Sequence, residues 1–87
     1  MATATRSQRN RNISGPRIRA ARLSQQPPIS QSKLARLMNQ HGFRFDPSIL
    51  CRIESQERGV TDLELKALAR ILRTTIAWLC GERGARR

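Results

Sequence analysis

Acidic residues are scarce in this chain: six, against seventeen lysines and arginines, for a formal charge of +11. Carboxylate pairs for acid–base chemistry have little to draw on. No nucleophile–base pairing, phosphate-binding glycine loop or metal cluster stands out. The expectation is a protein that is not an enzyme and needs no cofactor. Aromatics are rarer still: Phe43, Phe45 and Trp78, with no tyrosine. So few rings argue against a surface that stacks unpaired bases, as single-strand and RNA-recognition modules do. Cys51 and Cys80 lack Cys-x-x-Cys spacing and His41 is the only histidine, so zinc lacks a ligand set. No apolar run approaches membrane-spanning length, and the N-terminus lacks the apolar stretch of a signal peptide. A cytoplasmic, reducing location is the resulting expectation. Eighty-seven residues allow one small domain with one modest core.

What is present is positive charge and helical periodicity. The charge calls for an anionic partner, and phosphate is the usual one; the plainer alternative is a basic protein without such a partner. Residues 1–14 are polar, with Arg6, Arg9 and Arg11, and too poor in apolar side chains to repay ordering by burial. They read as a disordered basic arm, either a solubilising tail or an arm that tracks phosphates or enters a minor groove. Residues 82–87 read as a second basic tail. Between them, 15–81 form the domain.

Pro16 suits the first turn of a helix capped by Ser14 or Gly15 and running to Leu23, with Ile18, Ala21 and Leu23 inward and Arg17 and Arg19 exposed. Gln25-Gln26-Pro27-Pro28 breaks it. Ser30 caps a second helix, 31–41, whose Leu34, Ala35, Leu37 and Met38 share a face; Gly42 ends it. Phe43-Arg44-Phe45 makes a turn, with Phe45 plugging the core. Asp46-Pro47 is a double start signal for a third helix, 47–55, with Leu50 and Ile53 inward and Ser48, Cys51 and Arg52 outward. Ile49 is ambiguous. Thr61-x-x-Glu64 is a capping box opening a helix over 62–73, with Leu65, Leu68, Ala69 and Leu72 as its inward stripe. Thr75 caps a last short helix, 76–80, with Ile76 and Leu79 inward, and Gly81 stops it. With no strand signal and no internal repeat, the fold class is all-α, a compact five-helix domain.

The stretches IRAAR, ISQSKLARLM, ILCRIES, VTDLELKALARIL and TTIAWLCG occur in order between Ile18 and Gly81. In this the chain resembles the phage-repressor and Cro-like helix-turn-helix family, over about three quarters of its length. The resemblance implies a DNA-binding domain whose third helix lies in the major groove. It implies that Gln31 contacts the DNA backbone and that Ser48, Cys51 and Arg52 face the bases. It also implies an ion pair between Arg22 and Glu54 that ties the third helix to the first. Two features depart from the family pattern. The stretch from Ala35 to Ile53 is several residues longer than in compact members. Gln56 stands where the family commonly has glycine.

Arg52 is the first candidate for base reading, because a guanidinium can donate two bonds to guanine. Ser48 is placed near the helix start, Ile49 either touches a thymine methyl or packs, and Cys51 is a small, weak donor. Gln31, Lys33, Arg44 and Arg58 are the candidate phosphate contacts, each adding affinity without sequence choice. Trp78 reads either as core or as an anchor at a two-fold interface. The expected function is sequence-specific binding of double-stranded DNA by a small transcriptional regulator. It would be a repressor acting as a homodimer on a palindromic operator and nucleoid-associated when bound. The competing expectations are an antitoxin or controller that chiefly holds a protein partner, with an exposed apolar patch around Trp78 and Leu79, and a nucleic-acid binder driven by charge alone.

Overall fold

Side-chain caps set most of the helix starts. In the computed structural model, which describes residues 11–82, the Ser30 hydroxyl accepts from Lys33 N, Asp46 from Ile49 N, and Thr75 from Trp78 N. Thr61 accepts from Glu64 N while the Glu64 carboxylate reaches back to Thr61 N, the expected reciprocal capping box. These caps open α2 (Gln31–Gln40), α3 (Pro47–Glu54), α4 (Asp62–Ile71) and α5 (Ile76–Leu79). The first helix, α1 (Gly15–Leu23), differs. Ser14 is its N-cap residue but makes no side-chain cap bond; Asn12 Oδ1 accepts from Gly15 N instead, at 2.6 Å.

The described residues thus form an all-helical globule of five helices, the fold class the periodicity implied. The first helix opens one residue early, at Gly15, and ends at Leu23 as expected, while α2 to α5 end one or two residues short of the expected bounds. Each of α2 to α5 closes with a left-handed residue just past its cap: Gly42, Gln56, Arg73 and Gly81. At all four, the next amide returns to a carbonyl five residues back: Phe43 to Met38, Glu57 to Arg52, Thr74 to Ala69 and Glu82 to Ala77. This is the Schellman closure, which satisfies carbonyls that would otherwise be orphaned. Glycine signals two of these ends. The other two use Gln56 and Arg73, which carry a Cβ into a region that favours glycine.

Ile18, Leu34, Met38, Leu50, Ile53, Leu68, Leu72 and Leu79 are fully buried and draw on all five helices. Phe45 is buried against them and meets the half-buried Phe43 edge to face, ring centroids 6.2 Å apart. The 41–46 turn is fastened by Asn39, whose amide donates to Phe45 O and accepts from Phe45 N. That two-way bond pins the turn to the last turn of α2. Ile49 is half-buried on the core, and α3 packs on both α1 and α2.

Several expected orientations are corrected. Leu23 is 42% exposed and Ile76 43% exposed, so neither faces inward. Leu23 is the last residue of α1, whose buried positions are Gly15, Ile18, Ala21 and Arg22, and Ile76 opens the four-residue α5, which buries only Leu79. Leu37 and Leu65 are half-buried rather than core. Arg17 is half-buried: its guanidinium lies 4.6 Å from the Trp78 ring centroid and donates to Trp78 O. Residues 11–14, expected in the basic arm, are hydrogen-bonded to the globule. Residues 1–10 and 83–87, with Arg6, Arg9 and the remaining C-terminal tail, lie outside the described residues. No helix among the described residues is long and apolar enough to cross a membrane.

Candidate functional site

The exposed face of α3 is formed because its opposite face is spent on the core. Leu50 and Ile53 are fully buried, which leaves Ser48, Cys51 and Arg52 exposed. At the start of α3 the Ser48 hydroxyl donates to Asp46 Oδ1 at 2.7 Å, and Ile49 N donates to the same oxygen at 2.9 Å. The Ser48 bond above all, then the Ile49 amide, holds the Asp46 carboxyl below the ordinary aspartate range. Ser48 and Arg52 are both exposed. Arg44 is exposed in the turn that leads into the helix.

At the other end, Arg22 and Glu54 make the ion pair that the family resemblance implied. Arg22 Nε donates to Glu54 Oε2 at 2.7 Å and Nη2 to Oε1 at 2.8 Å, while Nη1 reaches Ile29 O at 2.9 Å. Both residues are buried, at 7% and 8% exposure. Gln31 Nε2 adds a third donor to the carboxylate, 3.0 Å from Oε1. Such a fork-to-fork pair fixes orientation as well as distance. One charged cluster therefore joins α1, the start of α2 and the end of α3.

The expected phosphate contacts divide. Gln31 and the exposed Cys51 share a cleft of about 270 Å³ with Arg19, Glu54 and Ser55. Lys33, two positions from Gln31, lines a different hollow beside Pro27, Leu72 and Arg73. Arg58 turns inward. It pairs with Glu64 at 3.1–3.2 Å and lies over the Phe45 ring, 5.6 Å from its centroid. Its guanidinium is thus committed within the fold, which separates it from the solvent-facing Lys33 and Arg44. Burial pushes the Glu64 carboxyl up, but the bonds from Arg58 and Thr61 N outweigh this and hold it below the usual glutamate range.

Sequence reasoning missed three residues that shape the site. Arg19 was read only as exposed, yet it stands beside Gln31 and Cys51. Its place three positions before Arg22 on α1 was the available signal. Asn12 donates to Ile53 O and Arg58 O at the end of α3, and nothing local in the sequence marks it. Gly15 crosses α3 so closely that a Cβ there would clash with Ile53 O.

Comparisons of the chain with protein-family models, with curated proteins and with solved structures find no match.

Proposed function

We propose that the chain is a small transcriptional regulator, a repressor, that binds double-stranded DNA sequence-specifically with α3 in the major groove. The observation that carries this reading is the outward face of α3. Ser48, Cys51 and Arg52 stand exposed on a helix whose other face is buried and whose end is tied down by Arg22 and Glu54. A helix held this way can present donors at a fixed angle to base edges. Arg52 reads guanine through two parallel bonds, Ser48 serves a neighbouring position, and Cys51 makes a small contact. Ile49, half-buried, contributes chiefly packing. Arg44, Lys33 and Gln31 contact phosphates, with Arg19 added beside Gln31.

The protein acts as a homodimer on a palindromic operator, with half-sites about one DNA turn apart. The competing role, chiefly holding a protein partner, called for an apolar patch at Trp78 and Leu79. Leu79 is fully buried and Trp78 is half-buried under Arg17, leaving Ile76 as the exposed large apolar residue on that helix.

Selection from a randomised duplex pool, run with the wild type and with Arg52→Ala, tests the reading. A palindromic motif that Arg52→Ala relaxes at one position per half-site is expected, at a cost of about 1–3 kcal/mol there. Recovery of no motif, with affinity set by salt alone, would move the function to charge-driven or partner binding.

A further inference from the structure

Two short segments far apart in sequence are stitched together beside the end of α3. Arg11 N donates to Gln56 O, and Gln56 Nε2 donates to Asn12 O, both at 3.0 Å. Asn12 Nδ2 donates to Arg58 O at 2.6 Å and to Ile53 O at 3.2 Å. Its Oδ1 accepts from Gly15 N. One side-chain amide therefore joins the start of α1, the last turn of α3 and the segment that leaves α3. This use needs a donor and an acceptor on one short side chain. Alanine supplies neither, and aspartate would aim a negative oxygen at two carbonyls.

We infer that Asn12 is a positioning residue for base reading: it fixes the orientation of α3, and so of Arg52 and Ser48, without touching the DNA itself. The inference rests on the proposed DNA-binding role. The local cap at Asp46 fixes where α3 starts, whereas its direction is set at the far end, where Ile53 and Glu54 meet α1. Bidentate base contacts tolerate about 0.5 Å and 10–20° of misplacement. Phosphate contacts made by long cationic side chains tolerate more. Loss of the stitch therefore weakens discrimination between sequences more than affinity for DNA in general.

Gln56 belongs to the same device. It holds the left-handed position at φ 71° where glycine is the common choice, and its side chain supplies a bond to Asn12 that glycine cannot. The Gln56→Gly variant keeps the backbone turn at no steric cost and removes the side-chain bond to Asn12.

The test compares dissociation constants for the selected motif and for a scrambled duplex of equal length, across a salt series, for the wild type, Asn12→Ala and Gln56→Gly. Melting curves verify that each variant is folded at the assay temperature. Asn12→Ala loses three side-chain bonds and is expected to lower the motif-to-scrambled ratio about tenfold, part of what those bonds are worth, with scrambled-duplex affinity and salt slope unchanged. Gln56→Gly is expected to lower the ratio about threefold, the scale of the lost bond to Asn12, and it decides the matter if Asn12→Ala fails to fold. A merely structural role would weaken both duplexes equally. An unchanged ratio, or equal losses on both, overturns the positioning role while leaving DNA recognition intact. A wild type that does not distinguish the two duplexes overturns both readings.

Discussion

At its start α3 is held by neighbours: Asp46 caps it, and Ser48 and Ile49 bond back to Asp46. At its end it is held from afar, by Asn12, Arg22 and Gln31, which lie 23 to 41 positions upstream of their partners. The two ends differ in burial as well. Asp46 is exposed, while Arg22 and Glu54 are buried. A locally held end can fray and re-form without disturbing the rest of the domain. An end held by buried, distant groups moves only if the helix packing moves. The exposed face between them inherits its start from local chemistry and its orientation from the tertiary fold.

This contrast ranks the substitutions. Glu54→Ala is expected to be the most damaging, because it leaves the Arg22 guanidinium buried without its carboxylate. The expected loss is about 3–5 kcal/mol, read by urea denaturation. Replacing both partners with apolar residues, Arg22→Met with Glu54→Leu, should recover most of it if desolvated charge is the cause. Gly15→Ala comes next. The added Cβ would meet Ile53 O and lie 3.0 Å from Glu54 O, so α1 must move off α3, at a cost of about 1–3 kcal/mol by the same measurement.

Asp46→Ala should do least to the global melt and most to the first turn of α3, read as faster amide exchange at Ser48 and Ile49. Acid should act on the same end. A carboxyl held below its ordinary range contributes stability above the unfolded value and loses it as pH falls through the folded one. Exchange at Ile49 should therefore quicken as pH drops below the usual aspartate range and be pH-independent, apart from intrinsic exchange chemistry, in Asp46→Ala. If Asp46→Ala cost as much global stability as Glu54→Ala, the contrast between the two ends would collapse.

The same division marks what could be read from the sequence. The Thr61–Glu64 capping box, the Ser30 and Asp46 caps and the glycine ends at 42 and 81 are local signals with local physical causes. They put the helices within a residue or two of their observed bounds. The helical ends at Gln56 and Arg73 carried no such mark, since neither residue advertises a left-handed backbone. Arg58 was legible as a cation but not as one turned to Glu64, and Arg17 not as one lying over Trp78. Exposure of a charged side chain is decided by its spatial neighbours, and periodicity along one helix does not supply them. The contacts of Asn12 and Gly15 with Ile53 on α3 were illegible for the same reason, since they join residues distant in the chain.

Whether α3 reads the bases is decided by titrating the isotopically labelled protein with its selected duplex and following backbone amides and arginine Nε–H groups by NMR, with intermolecular contacts assigned to the DNA. Contacts are expected from Ser48, Cys51 and Arg52 to base edges and from Arg44 to phosphate, with Lys66 and Arg70 on α4 unaffected. Contacts centred on α4 or α5, with the Arg52 Nε–H unchanged at saturation, would contradict base reading by α3.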